Sequence, residues 1–191
     1  MNRLMKRSAR RGSVAKVGMW SLCVGLGMIA SAPAFAQNLV ENGDFEGEIS
    51  HTSKHVSVTD KSTPTLGEGK YVITDDVKAN HGAARELKDH TTGSGKLMMV
   101  NGAAKADQVV WEQTVSVEPN TDYDFAAYLA SWTPSNPATL QFSIDGEKVG
   151  GLQASGATGT WEKFFTTWNS AEKSGDVTIT ILNENTAAGG N

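Results

Sequence analysis

The chain has 191 residues with 17 Lys and Arg against 21 Asp and Glu, and the charge is unevenly placed. The first 36 residues hold six of the bases and no acid, so the 155 that follow carry 11 bases and 21 acids, a net charge near −10. Such an acidic surface repels phosphate and offers few cations for counterion release, which argues against a nucleic-acid partner, while this length makes one domain with a real core.

In chain order the N-terminus comes first. A basic stretch through Lys16 is followed by an apolar run over residues 17–30 and then by Ala34-Phe35-Ala36, a small-x-small cleavage site. Residues 1–36 therefore read as a secretory signal peptide, leaving a mature domain over 37–191 that is secreted or held at the cell surface. The apolar run is shorter than the ~20 residues a membrane-spanning helix needs, so no membrane span is expected in the mature chain. Arg10-Arg11 is followed by Gly12-Ser13-Val14 rather than an apolar pair, which favours the general secretory route over twin-arginine export. Cys23, the one cysteine, lies inside the apolar run. Its loss with the leader would exclude a disulfide frame, a cysteine nucleophile and a thiolate metal site together.

From Gln37 onward no amphipathic helix period stands out, whereas short alternating runs recur between Gly, Asn, Asp and Pro. Strand candidates in the irregular first half are residues 55–59, 71–74 and 96–100. In the clearest run Val109, Trp111, Gln113, Val115 and Val117 share one face, and Pro119-Asn120 then turns the chain. Tyr123, Phe125, Ala127 and Leu129 form the core side of the next strand. After the Pro134–Pro137 loop, Leu140, Phe142 and Ile144 form a buried row leading into Asp145-Gly146, a dipeptide suited to a tight hairpin with positive φ angles. A short return strand over 147–152, a run over 161–168 and the row Val177, Ile179, Ile181 complete the set. Strands joined by turns and without crossover helices call for two antiparallel sheets face to face, an all-β jelly-roll β-sandwich. The sequence stops at Gly189-Gly190-Asn191, a turn with no strand behind it, so a C-terminally truncated domain lacking its closing strand is expected.

Asn38-Leu39-Val40-Glu41-Asn42-Gly43-Asp44-Phe45-Glu46 resembles the opening strand of secreted galactose-binding-like sandwiches, notably carbohydrate-binding module families 4 and 9. The later order is similar too: Trp-x-Gln-x-Val-x-Val at 111–117, Pro-Asn-Thr-x-Tyr-x-Phe at 119–125 and Thr160-Trp161. Gly-x-Tyr-x-Ile at 69–73, Asp-His-Thr-x-Gly-x-Gly at 89–95 and Val-Asn-Gly at 100–102 resemble bacterial surface and sorting-signal proteins of PEP-CTERM-like type. The resemblance implies a binding module for an extracellular glycan or surface polymer. In such modules a structural calcium ion sits near the opening strand, and Glu46 is the residue matching its carboxylate ligand.

Sugar recognition uses exposed aromatic faces, because the C–H side of a pyranose stacks on a ring while its hydroxyls meet polar groups. Trp111 and Trp161 are expected in the core. Trp132, beside the proline loop, and Tyr128, opposite Phe125, are the ligand-surface candidates, and Trp168 joins them if its side of the strand is open. His51 and His55 have the i, i+4 interval of a helical zinc pair, but on a loop or strand that interval does not bring the rings together. Asp89-His90 reads as a turn signal, with no Gly-x-Ser-x-Gly elbow beside it. No paired carboxylates, phosphate loop or dinucleotide fingerprint is present. The expected function is non-catalytic carbohydrate binding, with a structural or adhesive surface role as the alternative.

Overall fold

The computed structural model describes residues 5–7, 37–58 and 66–187. The expected leader cleavage site, Cys23, Thr59 at the end of the first strand candidate and the terminal Gly-Gly-Asn turn lie outside the described residues. The elements in chain order are β1 (Met5–Arg7), β2 (Val56–Ser57), β3 (Lys70–Thr74), α1 (Val77–Asn80), β4 (Leu97–Asn101), β5 (Gln108–Val117), β6 (Asp122–Leu129), β7 (Thr139–Ile144), β8 (Glu147–Gln153), β9 (Glu162–Asn169) and β10 (Gly175–Asn183).

The fold is an all-β sandwich. One layer is the sheet β5-β10-β7-β8; opposite it runs β1-β6-β9, and a small third sheet, β2-β3-β4, adjoins them. From β5 onward the chain passes between the two main layers, placing β6 and β9 against β5, β7, β8 and β10. Pairing is antiparallel throughout, with one exception: β2 runs parallel to β3. Two sheets and uniform antiparallel pairing were the sequence expectation. The third sheet and its parallel pair are set by where the first-half loops return, which periodicity does not encode.

Alternation places the core. From Trp111 to Val117 every second residue of β5 is buried, as are Val177, Ile179 and Ile181 on β10, and these face Tyr123, Phe125, Ala127, Phe164 and Trp168 across the sandwich. Val110 is buried as well, because the register slips between Ile181 and Leu182 and re-aims β5 there. Phe142 and Phe164 stack at 4.1 Å and 9°, with Phe125 edge-on to both. That stack requires glycine at 150, whose φ is +145° and whose Cβ would lie 2.7 Å from the Phe164 ring. Asp145 and Gly146 turn the β7–β8 hairpin with φ of 52° and 78°, the positive pair expected of a two-residue hairpin.

The opening segment departs from expectation. Residues 41–48 form turns and bends instead of a strand, with Asn42 and Phe45 at φ 48° and 63°. Asn42 accepts from Gly47 N at 2.7 Å and donates to Glu48 O at 2.6 Å, closing a compact loop that drops Phe45 into the core. Gln113, buried among the apolar residues of β5, ties this loop down: its Oε1 accepts from Glu41 N, and its Nε2 donates to Glu41 O and Ser50 O. α1 is a single turn begun by Asp76, whose carboxylate accepts from Ala79 N. Together with β3 and β4 it encloses a second apolar cluster containing Leu66, Val72, Val77, Leu87, Met99 and Trp132.

Candidate functional site

β6 and β9 pair antiparallel, so residues opposite one another on the strands project to the same side. The outward pairs are Asp122 with Asn169, Asp124 with Thr167, Ala126 with Phe165, and Tyr128 with Lys163. Thr167 Oγ1 donates to Asp124 Oδ1 at 2.9 Å, and Asn169 Nδ2 donates to Asp122 Oδ1 at 2.5 Å. Phe165 is 53% exposed beside the small Ala126, with Lys163 Nζ 4.8 Å from its ring centroid. The sheet face therefore carries an open aromatic ring between an ammonium group and a row of carboxylate, hydroxyl and amide groups.

A loop extends this face. His90 stacks on Tyr128 at 3.5 Å and 19° and meets Trp161 edge-on at 5.9 Å. Trp161 is half-exposed and anchored by its indole N–H donating to Lys88 O at 3.0 Å. Its expected place was the core, and it instead rims the second apolar cluster. The loop's shape comes from Asp89, whose buried carboxylate accepts from Thr91 N, Thr92 N and Gly95 N at 2.6–2.8 Å and from the Thr92 hydroxyl. Burial pushes the Asp89 pKa up, but the hydrogen bonds from Thr92, Gly95 and Thr91 outweigh it and hold the group below its ordinary value. Desolvation lowers the His90 pKa, against the opposing pull of the Asp89 charge.

Asp89→Ala should destabilise the protein by about 2 kcal/mol, because three backbone N–H groups lose a charged acceptor. It should also release His90 from Tyr128, read by NMR as loss of the ring-current shift on the His90 ring protons. The Asp89 contribution has the sign of a depressed carboxylate: it is complete above the unfolded value of 3.8 and is lost as pH falls below that.

Of the three ligand-surface candidates named from sequence, only Tyr128 lies on this face. Trp132 is a correction: its ring is buried in the second cluster, its indole N–H donates to Val100 O at 2.9 Å, and His81 packs on it at 4.7 Å. Trp168 is another: it is 5% exposed, sits in the main core against Tyr123, and its indole N–H points to Glu147 Oε2 at 3.4 Å. Neither offers a ring face to a sugar. Trp111 is buried in the core as expected. Phe165, His90 and Lys163 were missed, although the Phe164-Phe165 dipeptide carried the signal: adjacent strand residues point to opposite sides, so one of two neighbouring aromatics must face outward.

Glu46, the residue matching a calcium carboxylate in the family resemblance, lies beside the Asp89 loop. Its Oε1 accepts from Lys96 N at 2.5 Å, closing the far end of the Asp89 loop. No group of three or more acidic, histidine or cysteine side chains among the described residues is placed to hold an ion. Among those residues, too, no helix is long and apolar enough to cross a membrane. Searches against protein-family models and against curated proteins gave no match.

Proposed function

We propose that this chain is a non-catalytic module that binds carbohydrate outside the cell, on the outward face of β6 and β9. The observation that carries this reading is the exposed Phe165 ring flanked by Lys163, Asp124 and Thr167, with the His90–Tyr128 stack beside it. A pyranose needs this combination: an apolar ring face for its C–H side, with donors and acceptors within reach of its hydroxyls. The basic, then apolar, then small-residue order of residues 1–36 supports export.

A glycan array followed by calorimetric titration tests the reading. Phe165→Ala should weaken binding about tenfold or more, the loss of one stacked ring, and Tyr128→Ala should weaken it similarly by also releasing His90. Folded protein without carbohydrate signal, or binding indifferent to Phe165→Ala, would overturn the proposal and leave the adhesive role, in which the same face contacts protein.

A further inference from the structure

The two apolar clusters do not close completely on one another. At their seam lies a cavity of about 110 Å³, lined from the main core by Phe45, Trp111 and Ile181 and from the second cluster by Leu87, Met99 and Trp132. Half-exposed lining residues, among them Met98, Tyr128 and Trp161, bring one side of it near the surface. Ser131 also lines it, is 4% exposed, and its Oγ has no hydrogen-bond partner. Polar groups so buried are nearly always satisfied, and an isolated one calls for an explanation.

We propose that this cavity is a binding site for a small ring compound that is apolar apart from one hydroxyl, of the phenol class, with the hydroxyl bonded to Ser131 Oγ. The space is tighter than the ~150 Å³ apolar cavity that takes up benzene, so entry of one ring needs the flexible, unbranched side chains of Met98 and Met99 in its lining to yield. The chemistry discriminates between occupants. A buried water needs two to four polar partners, and among the lining residues only Ser131 has a buried side-chain polar atom without one, since the indole N–H groups of Trp132 and Trp161 are engaged by Val100 O and Lys88 O. A purely apolar guest would leave the hydroxyl unpaired, and a sugar would bring more hydroxyls than the walls can satisfy. Tyr128 borders both this cavity and the Phe165 face, but the proposal does not rest on carbohydrate binding.

The test titrates phenol and, separately, benzene into the full chain, following amide shifts by NMR and the thermal midpoint. Phenol should shift Ser131 and its cavity neighbours saturably and raise the midpoint, as any ligand of the native state does. Ser131→Ala should weaken phenol about three- to tenfold, the worth of one neutral hydrogen bond, and leave benzene unchanged or tighter. Phe165→Ala should leave phenol binding as it was. Ala138→Leu, filling the space from its lining, should abolish both, and xenon under pressure reads the same cavity in the unaltered chain if that variant does not fold. No saturable shift at the cavity residues, or phenol affinity unchanged by Ser131→Ala, would overturn the proposal.

Discussion

Replacing Trp111 with alanine should lower the unfolding free energy by about 3–5 kcal/mol, a large share of the roughly 5–15 kcal/mol that holds a domain of this size. Trp111 is 1% exposed, is the largest of the most deeply buried side chains, and stands opposite Ile181 in the β5–β10 pairing. Its removal falls at the upper end of the range for a specific reason. The site borders the existing cavity, so the vacated volume joins that space, and the cost of truncation rises with the volume left empty. His51 stacks over the indole at 6.2 Å and 26°, so the same substitution rehydrates His51 and moves its pKa back toward the ordinary value. Denaturant unfolding at neutral pH measures the first effect and an NMR titration of His51 the second. Trp161→Phe is the control: its ring is half-exposed, and the loss should stay near 1 kcal/mol or below, as for a single rim hydrogen bond.

Strand identity was legible wherever one face is buried and the other wet. β5, β6 and β10 alternate cleanly, so their inward rows could be named residue by residue, and Asp145-Gly146 announced its hairpin because few dipeptides supply two positive φ angles. Where local chemistry and long-range contact compete, the sequence was a weaker guide. α1 is one turn, too short to show a period, and is held by the Asp76 cap and by burial of Val77. The 38–46 segment has the composition of a strand, yet Asn42 engages its own loop backbone and pulls the chain into turns.

The site was harder to read for the same reason. Proximity to prolines suggested an exposed Trp132, but the backbone of Arg85 donates to Trp132 O at 2.9 Å and brings the 84–87 segment in beside it, a contact made 47 residues away in sequence. Trp168 and Phe165 illustrate the reverse case. They sit three apart on one strand and so face opposite ways, and the identity of the buried side was settled by Phe164 stacking on Phe142 in the other sheet. Aromatic content marks a candidate binding strand; the partner layer decides which of its rings remain free. For β9 that leaves Phe165, with Lys163 beside it, as the face to mutate.

Acidification should destabilise the protein well before its carboxylates titrate. His51 is buried among Phe45, Tyr71 and Trp111, with ring centroids at 5.7–6.2 Å and its Nε2 unpartnered, and this desolvation lowers its pKa. His55 is buried between two backbone groups: Nδ1 lies 3.1 Å from Val109 O, and Ala103 N lies 3.3 Å from Nε2. These partners fix the neutral tautomer, with Nδ1–H donating and Nε2 accepting, and a second ring proton would point at the Ala103 N–H. Desolvation lowers the His55 pKa, partly offset by the Val109 carbonyl, which raises it. Both groups thus bind protons more weakly folded than unfolded. Their contribution is complete above the unfolded value of 6.5 and is lost progressively as pH falls from there toward the folded values. The slope is bounded at about 1.4 kcal/mol per pH unit for each histidine, about 2.7 for the pair, within that window. Urea unfolding at pH 7.5, 6.5 and 5.5 should show a flat upper interval and a falling lower one. His51→Phe, which keeps the aromatic packing and removes the titration, should flatten the fall by roughly half. His55→Gln should flatten the remainder while costing some stability at every pH, because an amide meets the Val109 and Ala103 groups with altered geometry. Equal slopes in wild type and both variants would show that the acid sensitivity arises elsewhere.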